Sequence, residues 1–296
     1  MSDYRGRFAP TPSGPLHFGS LVGALGSYLA AKSQSGAWLL RIDDLDGPRV
    51  VKGAIDQILR RLEAFGLFWD ESVRYQSQRY PEYQAALDQL IERGLAYPCH
   101  CSRSQLGQSS QAGIEGPVYP GTCRLTPGAG ELRSYRLLTQ GAPLVFEDGN
   151  LGVQRLDLAA QVGDFVLWRA DGVFSYHLAT VVDEQLDGIT ELVRGADLLV
   201  STQRHLFLMD LLRQPRPRCL HLPVALDAQG EKLSKQTLAP PLEPGQEGRL
   251  LFLALEFLGQ FPPEDMRGAP PAELLAWGVA HWMPQALGGQ ATRLAP

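Results

Sequence analysis

The stretch Arg7-Phe-Ala-Pro-Thr-Pro-Ser-Gly-Pro-Leu-His-Phe-Gly-Ser20 decides how the rest of the chain is read. Arg5 to Ala9 has the length of a short strand. Pro10, Pro12, Gly14 and Pro15 then forbid regular structure for several residues. A helical pattern follows, with Leu21, Val22, Leu25 and Leu29 on one side. Gly19, Gly23, Gly26 and Ala30 fall near a second stripe. Each glycine inside a helix costs about 1 kcal/mol relative to alanine. Something must therefore come close to this helix, either a sheet or a ligand. A strand, a tight turn and a helix N-terminus carrying His17 make an anion site, because backbone N–H groups and the positive dipole end point outward there. A Pro-rich turn ahead of a packed helix explains the same residues equally well.

Composition narrows the class. The 296 residues are 44% hydrophobic, which is enough for a large core and excludes wholesale disorder. A net charge of −5 does not advertise nucleic-acid binding, although a local basic surface would suffice for it. Residues 1–10 lack the apolar run of a secretory signal, and no run of ~18 apolar residues occurs, so a cytoplasmic protein without a membrane span is expected. Four cysteines, two of them one residue apart, do not form a secreted disulfide framework and fit a metal site better.

Outward from the opening stretch, Ala37-Trp-Leu-Leu-Arg-Ile42 reads as a buried strand. It runs into Asp43-Asp44-Leu45-Asp46-Gly47-Pro48, an acidic turn at the carboxyl end, where ligands of open α/β sheets collect. Val51 to Phe65 is an amphipathic helix with Ile55, Ile58, Leu59 and Leu62 inward. The order β-α-β-α starts a parallel sheet. Ser102 to Gly130 shifts to Gly, Ser, Gln and Pro, and 144–169 reads as short strands, so an insertion is expected. The wound sheet resumes with predicted strands at Ser175–Asp183, Ile189–Arg194 and Cys219–Leu226, and a helix over Thr202–Leu212. Residues 249–257 and 271–282 are helical in pattern. The expectation is an α/β fold with a doubly wound parallel sheet. Residues 1–95 and 173–238 form its halves, 96–172 the insertion, and 239–296 a short C-terminal helical region.

Two short segments bracket that sheet: His17-Phe-Gly-Ser20 at the head of the first helix, and Lys232-Leu-Ser-Lys235 after the last strand. A phosphate chain over the helix could be gripped by His17 and backbone N–H groups, while a loop lysine closes from the far side. Cys99-x-Cys101 and Cys123 supply three thiolates for a tetrahedral zinc. Cys219 and His100 are both open as the fourth ligand, and either is a commoner ligand than a phenol. The intervening Gly/Ser/Pro-rich segment has too few apolar residues to hold itself and needs a staple.

HFGS resembles the HIGH motif, and KLSK the KMSKS motif, of class I aminoacyl-tRNA synthetases. RFAPTPSGPLHFGS is similar to the opening of glutamyl-tRNA synthetases, with Ser20 where the second His of the motif usually stands. The resemblance runs from Arg7 to about Gln236 and implies a Rossmann-like catalytic domain. It implies that Arg7, Thr11, Asp43, Tyr176 and Arg194, with the backbone of Phe8, Ala9 and Pro10, bind L-glutamate. These types suit two carboxylates and an ammonium. Asp43 departs from the family, which usually has Glu there. His17, Gly19, Ser20, Lys232 and Lys235 would bind ATP, with His17, Ser20 and Lys235 serving catalysis and Mg²⁺ accompanying the phosphates. Tyr119 would complete a structural Zn²⁺ site with Cys99, Cys101 and Cys123.

The family's long members continue into a helical anticodon-binding region, for which residues 241–296 are too few. Short members instead attach glutamate to queuosine in the anticodon loop of tRNA(Asp), and that is the activity expected here. The alternatives are charging of tRNA 3′ ends by a truncated relative, and an inactive paralogue that binds glutamate, ATP or RNA. Arg60, Arg61, Arg213, Arg216 and Arg218 are candidates for an RNA surface, or simply solvated faces. No stable protein partner is expected.

Overall fold

The computed structural model describes residues 3–102, 105, 111–125, 131–141, 143–233 and 240–296. Strand β1 (Arg5–Phe8) pairs in parallel with β2 (Ala37–Ile42), Arg7 opposite Leu39, and α1 (Phe18–Lys32) connects them. After α2 (Ala54–Ala64), the short β3 (Arg74–Tyr75) joins the far side of β2. Helix α3 (Tyr80–Glu92) then leads to the insertion.

The insertion is antiparallel. Strands β4 (Ala96–Cys99), β7 (Ser134–Leu137) and β10 (Val166–Arg169) form one sheet in the order β10-β7-β4. A hairpin of β5 (Gln111–Gly113) and β6 (Gly116–Val118) precedes α4 (Thr122–Leu125). A second hairpin, β8 (Leu144–Asp148) with β9 (Gly152–Leu156), is followed by α5 (Leu158–Gln161).

The second half of the wound sheet has β11 (Glu191–Gly195) parallel to β12 (Arg218–Leu222), linked by α7 (Leu199–Leu212). Thr190 N donates to Arg5 O at 3.0 Å and Arg5 N to Thr190 Oγ1 at 2.9 Å, which stitches β11 to β1. The two sheets, β3-β2-β1 and β11-β12-β8-β9, meet side by side at β1 and β11, where the switch point of a doubly wound fold would lie. The sheets as a whole are mixed, not purely parallel, because the β8–β9 hairpin docks on β12 and the insertion is antiparallel.

Two expected strands are corrected. Ser175–Asp183 is not a strand; it is the start of α6 (Tyr176–Leu186), capped by Ser175 Oγ, which accepts from Leu178 N at 3.3 Å. Residues 178–184 are all buried, so the segment shows no polar face, and a short apolar run cannot be told from a strand by period. Cys219–Leu226 is split at Pro223, which has no N–H to give a ladder, into β12 and β13 (Val224–Leu226).

Strand side chains alternate between two cores. Trp38, Leu40 and Ile42 pack on α1, while Leu39 and Leu192 face α3, α6 and α7. Arg7, Arg41 and Arg194 share the parity of that second face. The C-terminal helices α8 (Glu247–Phe257) and α9 (Pro271–His281) join the α1 core through Leu251, Phe252, Leu255 and Leu274. The last strand, β14 (Thr292–Leu294), adds in parallel to β13. Among the described residues, no helix is long and apolar enough to cross a membrane.

Candidate active site and metal centre

Ligands of doubly wound sheets bind beyond the carboxyl ends of the strands, at the switch point. A cavity of about 330 Å³ lies there. Arg7 and Phe8 line it from β1, Ala9 and Thr11 from the turn that follows, and His17, Gly19, Ser20 and Gly23 from the N-cap and first turns of α1. Tyr176, Arg194, Gly195 and Asp197 line it from the second half, and Lys232 from the loop after β13. The structure thus brings most of the predicted glutamate and ATP residues to one place. Pro10 and Asp43 stand off its wall, joined to each other by Asp43 N donating to Pro10 O at 3.1 Å. Lys235, predicted on the closing loop, lies outside the described residues.

Glycines divide the labour of α1. A Cβ at Gly26 would sit 2.5 Å from Leu222 Cδ1, so this position lets the helix lie close on the sheet. A Cβ at Gly19 would meet His17 Cε1 at 3.1 Å and Leu233 O at 3.4 Å, at the mouth of the cavity. The sheet accounts for Gly26, while Gly19 is crowded by His17 and Leu233 beside the cavity. The first turn of α1 carries no acidic residue, and Ser20 Oγ accepts from His17 N at 3.4 Å. This end of the helix suits an anion.

Arg7 is buried, and its Nε donates to both Glu184 oxygens at 2.9 and 3.1 Å. Arg41 Nη1 approaches Glu184 Oε1 at 3.4 Å. Burial would raise the Glu184 carboxyl, but the Arg7 and Arg41 guanidiniums outweigh it and hold it below its ordinary value. Arg41 also grips Asp43, through Nε at 2.7 Å and Nη2 at 3.4 Å. Asp43 is nevertheless pushed up to about 6, mainly by burial, with Arg41 pulling the other way. Asp183 accepts from Gln76 Nε2 at 2.7 Å, Arg79 Nη1 at 2.8 Å and Tyr83 Oη at 2.9 Å. Arg194 Nη1 lies 3.5 Å from Tyr176 Oη, and Lys232 Nζ pairs with Asp197.

Sequence reasoning did not single out Glu184, Asp183 or Arg41 as parts of this site. A signal for Arg41 was present: a charged residue inside an otherwise apolar strand needs a buried partner. Of the acids that supply it, Asp183 ends the expected strand at 175–183 and Glu184 lies just past it, so neither is seen to share a helix. The candidate RNA arginines lie elsewhere. Arg218 opens β12 and pairs with Glu191, whereas the cavity lies at the Leu222 end; Arg216 pairs with Asp210 and Arg61 with Glu247.

In the insertion, the sulfurs of Cys99, Cys101 and Cys123 lie within 4.8 Å of one another. Tyr119 Oη is 3.4 Å from Cys99 Sγ and 3.6 Å from Cys101 Sγ. His100 turns away, with Nδ1 3.0 Å from Glu131 O, and Cys219 sits on β12 in a different core. Arg136 Nε is 3.3 Å from Cys99 Sγ, and its guanidinium lies 4.0 Å over the Tyr119 ring. Three thiols with a phenol oxygen and a guanidinium beside them are a donor set compatible with Zn²⁺.

The family described as tRNA synthetases class I (E and Q), catalytic domain, matches residues 3–243. The chain is 54% identical to a glutamyl-Q tRNA(Asp) synthetase of Synechococcus sp., over 94% of each chain. It is 52% identical to the protein so named in Chromobacterium violaceum, over 94% of this chain and 93% of that one. For the one of Dechloromonas aromatica the figure is 49%, over 100% and 99%. Among solved structures, the glutamate tRNA ligase of Elizabethkingia meningosepticum, crystallised with its amino acid, superposes with a TM-score of 0.81 at 24% identity. That match covers 99% of this chain and 67% of the ligase, a likeness of fold.

Proposed function

The chain belongs to the class I tRNA synthetases of the glutamate and glutamine group, and from that premise we propose that it activates L-glutamate with ATP and transfers glutamate to queuosine of tRNA(Asp). The observation that carries the site assignment is the cavity beside β1 and β11, walled by Arg7 and Arg194 on one side and the head of α1 on the other.

In this reading Arg7, Tyr176 and Arg194 hold the two carboxylates of glutamate, with Thr11 and the backbone of residues 8–10 beside them. Asp43 faces the ammonium from behind, directly or through water. His17, Gly19, Ser20 and the N-terminus of α1 hold the phosphates of ATP, and Lys232 and Lys235 close over them. The α-carboxylate oxygen attacks the α-phosphorus, pyrophosphate leaves with the bond electrons, and glutamyl-adenylate forms. The arginines contribute orientation and the helix end contributes electrostatic stabilisation. Mg²⁺, when bound with ATP, supplies charge neutralisation on the phosphates. A ring hydroxyl of queuosine then attacks the acyl carbon, and AMP leaves. A larger cavity of about 1120 Å³, with Arg133, Arg169 and Arg204 on its wall, shares Tyr176 with the first and supports the approach of a splayed-out base there. Zinc held by Cys99, Cys101, Cys123 and Tyr119 serves structure, since four protein ligands leave no open position.

The test is transfer of labelled glutamate to tRNA(Asp) with and without queuosine, and to tRNA(Glu). Label only on the queuosine-containing tRNA is expected. Label on the 3′ end of tRNA(Glu) would overturn the acceptor assignment, and absence of glutamate-dependent ATP–pyrophosphate exchange would overturn the activity.

A further inference from the structure

Arg194 differs from Arg7 in one respect. Arg7 is neutralised by Glu184, whereas Arg194, equally buried, forms no ion pair with any described carboxylate. Its charge reaches Glu184 only at longer range, and a ligand carboxylate in direct contact would relieve the cost of burying it. What holds Arg194 instead is a neutral acceptor. Its Nη1 and Nη2 both lie 3.2 Å from His205 Nδ1, while its Nε has no hydrogen-bond partner.

Arginine only donates, so the chemistry assigns the tautomers. His205 Nδ1 must carry the lone pair, which puts its proton on Nε2. That atom is 3.1 Å from His177 Nδ1, so His177 accepts and carries its own proton on Nε2. The rings of Tyr176, His177 and His205 form a triangle with centroids 5.2 to 5.5 Å apart, and Tyr176 Oη reaches back to Arg194. Burial and then the Arg194 charge keep His205 far below its ordinary pKa, and burial followed by Arg204 and Arg194 brings His177 to about 3. Both shifts favour the neutral imidazoles that the hydrogen bonds require.

We propose that His205, braced by His177, is a positioning residue that aims the Arg194 guanidinium at the glutamate cavity without neutralising it. The proposal rests on Arg194 being a glutamate ligand. A carboxylate in place of His205 would hold Arg194 equally well but would cancel the charge that the substrate needs.

The experiment is ATP–pyrophosphate exchange by the full chain, with KM for glutamate and for ATP measured separately and thermal melting as the control for folding. His205→Asn keeps a neutral acceptor near the Nδ1 position and is expected to hold the glutamate KM within about threefold. His205→Asp, nearly the same shape, is expected to raise it by about 10-fold or more, with ATP KM unchanged. Should the Asp variant fail to fold, His205→Phe decides: it keeps a ring but loses the acceptor, and the same rise in glutamate KM is expected. Equal glutamate KM in the folded variants and the parent, alongside a raised KM in Arg194→Ala, overturns the proposal alone. An unchanged glutamate KM in Arg194→Ala overturns the reading of the cavity and this proposal with it.

Discussion

Glu184 and Arg7 are 177 residues apart in sequence and meet through two hydrogen bonds of 2.9 and 3.1 Å, with both side chains almost wholly buried. Arg7 comes from the first strand and Glu184 from α6, so the pair ties the two halves of the sheet together behind the cavity. Glu184→Gln keeps the shape and removes the charge. Breaking one side of a buried pair costs about 3–5 kcal/mol, so a large fall in melting temperature is expected, with a raised glutamate KM in whatever remains folded. The pH dependence has a definite sign. The folded carboxyl titrates below its ordinary value, so its stabilisation is complete above the unfolded value of about 4.3 and is lost as pH falls through the folded one. Melting curves against pH should show the parent losing its advantage over the Gln variant on the acid side only.

Asp43 titrates in the opposite sense. Burial lifts it to about 6, so its protonated form is the one the fold prefers. Its contribution to stability is full below the unfolded value of about 3.9 and is lost as pH rises through about 6. Binding an ammonium needs the ionised form, so the glutamate KM should fall as pH rises through about 6. Asp43→Asn should raise the KM and flatten that dependence. A parent profile with no step near this pH would remove Asp43 from the glutamate site.

The insertion should carry about one zinc per chain by elemental analysis. Cys123→Ala should lose it and make residues 96–172 sensitive to protease, while Tyr119→Phe should weaken retention without abolishing it. Full zinc retention in Tyr119→Phe would place the fourth ligand elsewhere.

Close contact between α1 and the sheet at Gly26 gives a stability prediction. An added methyl there meets Leu222 Cδ1 at 2.5 Å, so Gly26→Ala should destabilise by about 1–3 kcal/mol despite the better helix propensity of alanine. Thermal melting checks it, and a stabilised variant would show that Leu222 gives way freely.

The parts legible in the sequence were those whose information is local. Prolines and glycines at 10–15 mark a turn whatever lies around it, the apolar run at 37–42 marks a strand, and spaced cysteines mark a shared site. The motifs at both ends of the sheet carried the family, and with it the polar residues Arg7, Thr11, His17, Ser20, Tyr176, Arg194 and Lys232 of the cavity wall. What the chain did not disclose was every feature that depends on two distant segments. Residues 175–183 carry the pattern of a strand because burial of 178–184 erases the periodicity that betrays a surface helix. With it went Asp183 and Glu184, whose role is to answer arginines on other strands.

The same limit explains the two arginines of the site. By itself the sequence determined that Arg7 and Arg194 are present, each on or next to a strand. Only the tertiary structure decided that one is neutralised by a carboxylate and the other held by a neutral histidine. Charge balance in a buried site is set by which side chains share a few ångströms of space. That is a property of packing between elements, and no local pattern along the chain encodes it.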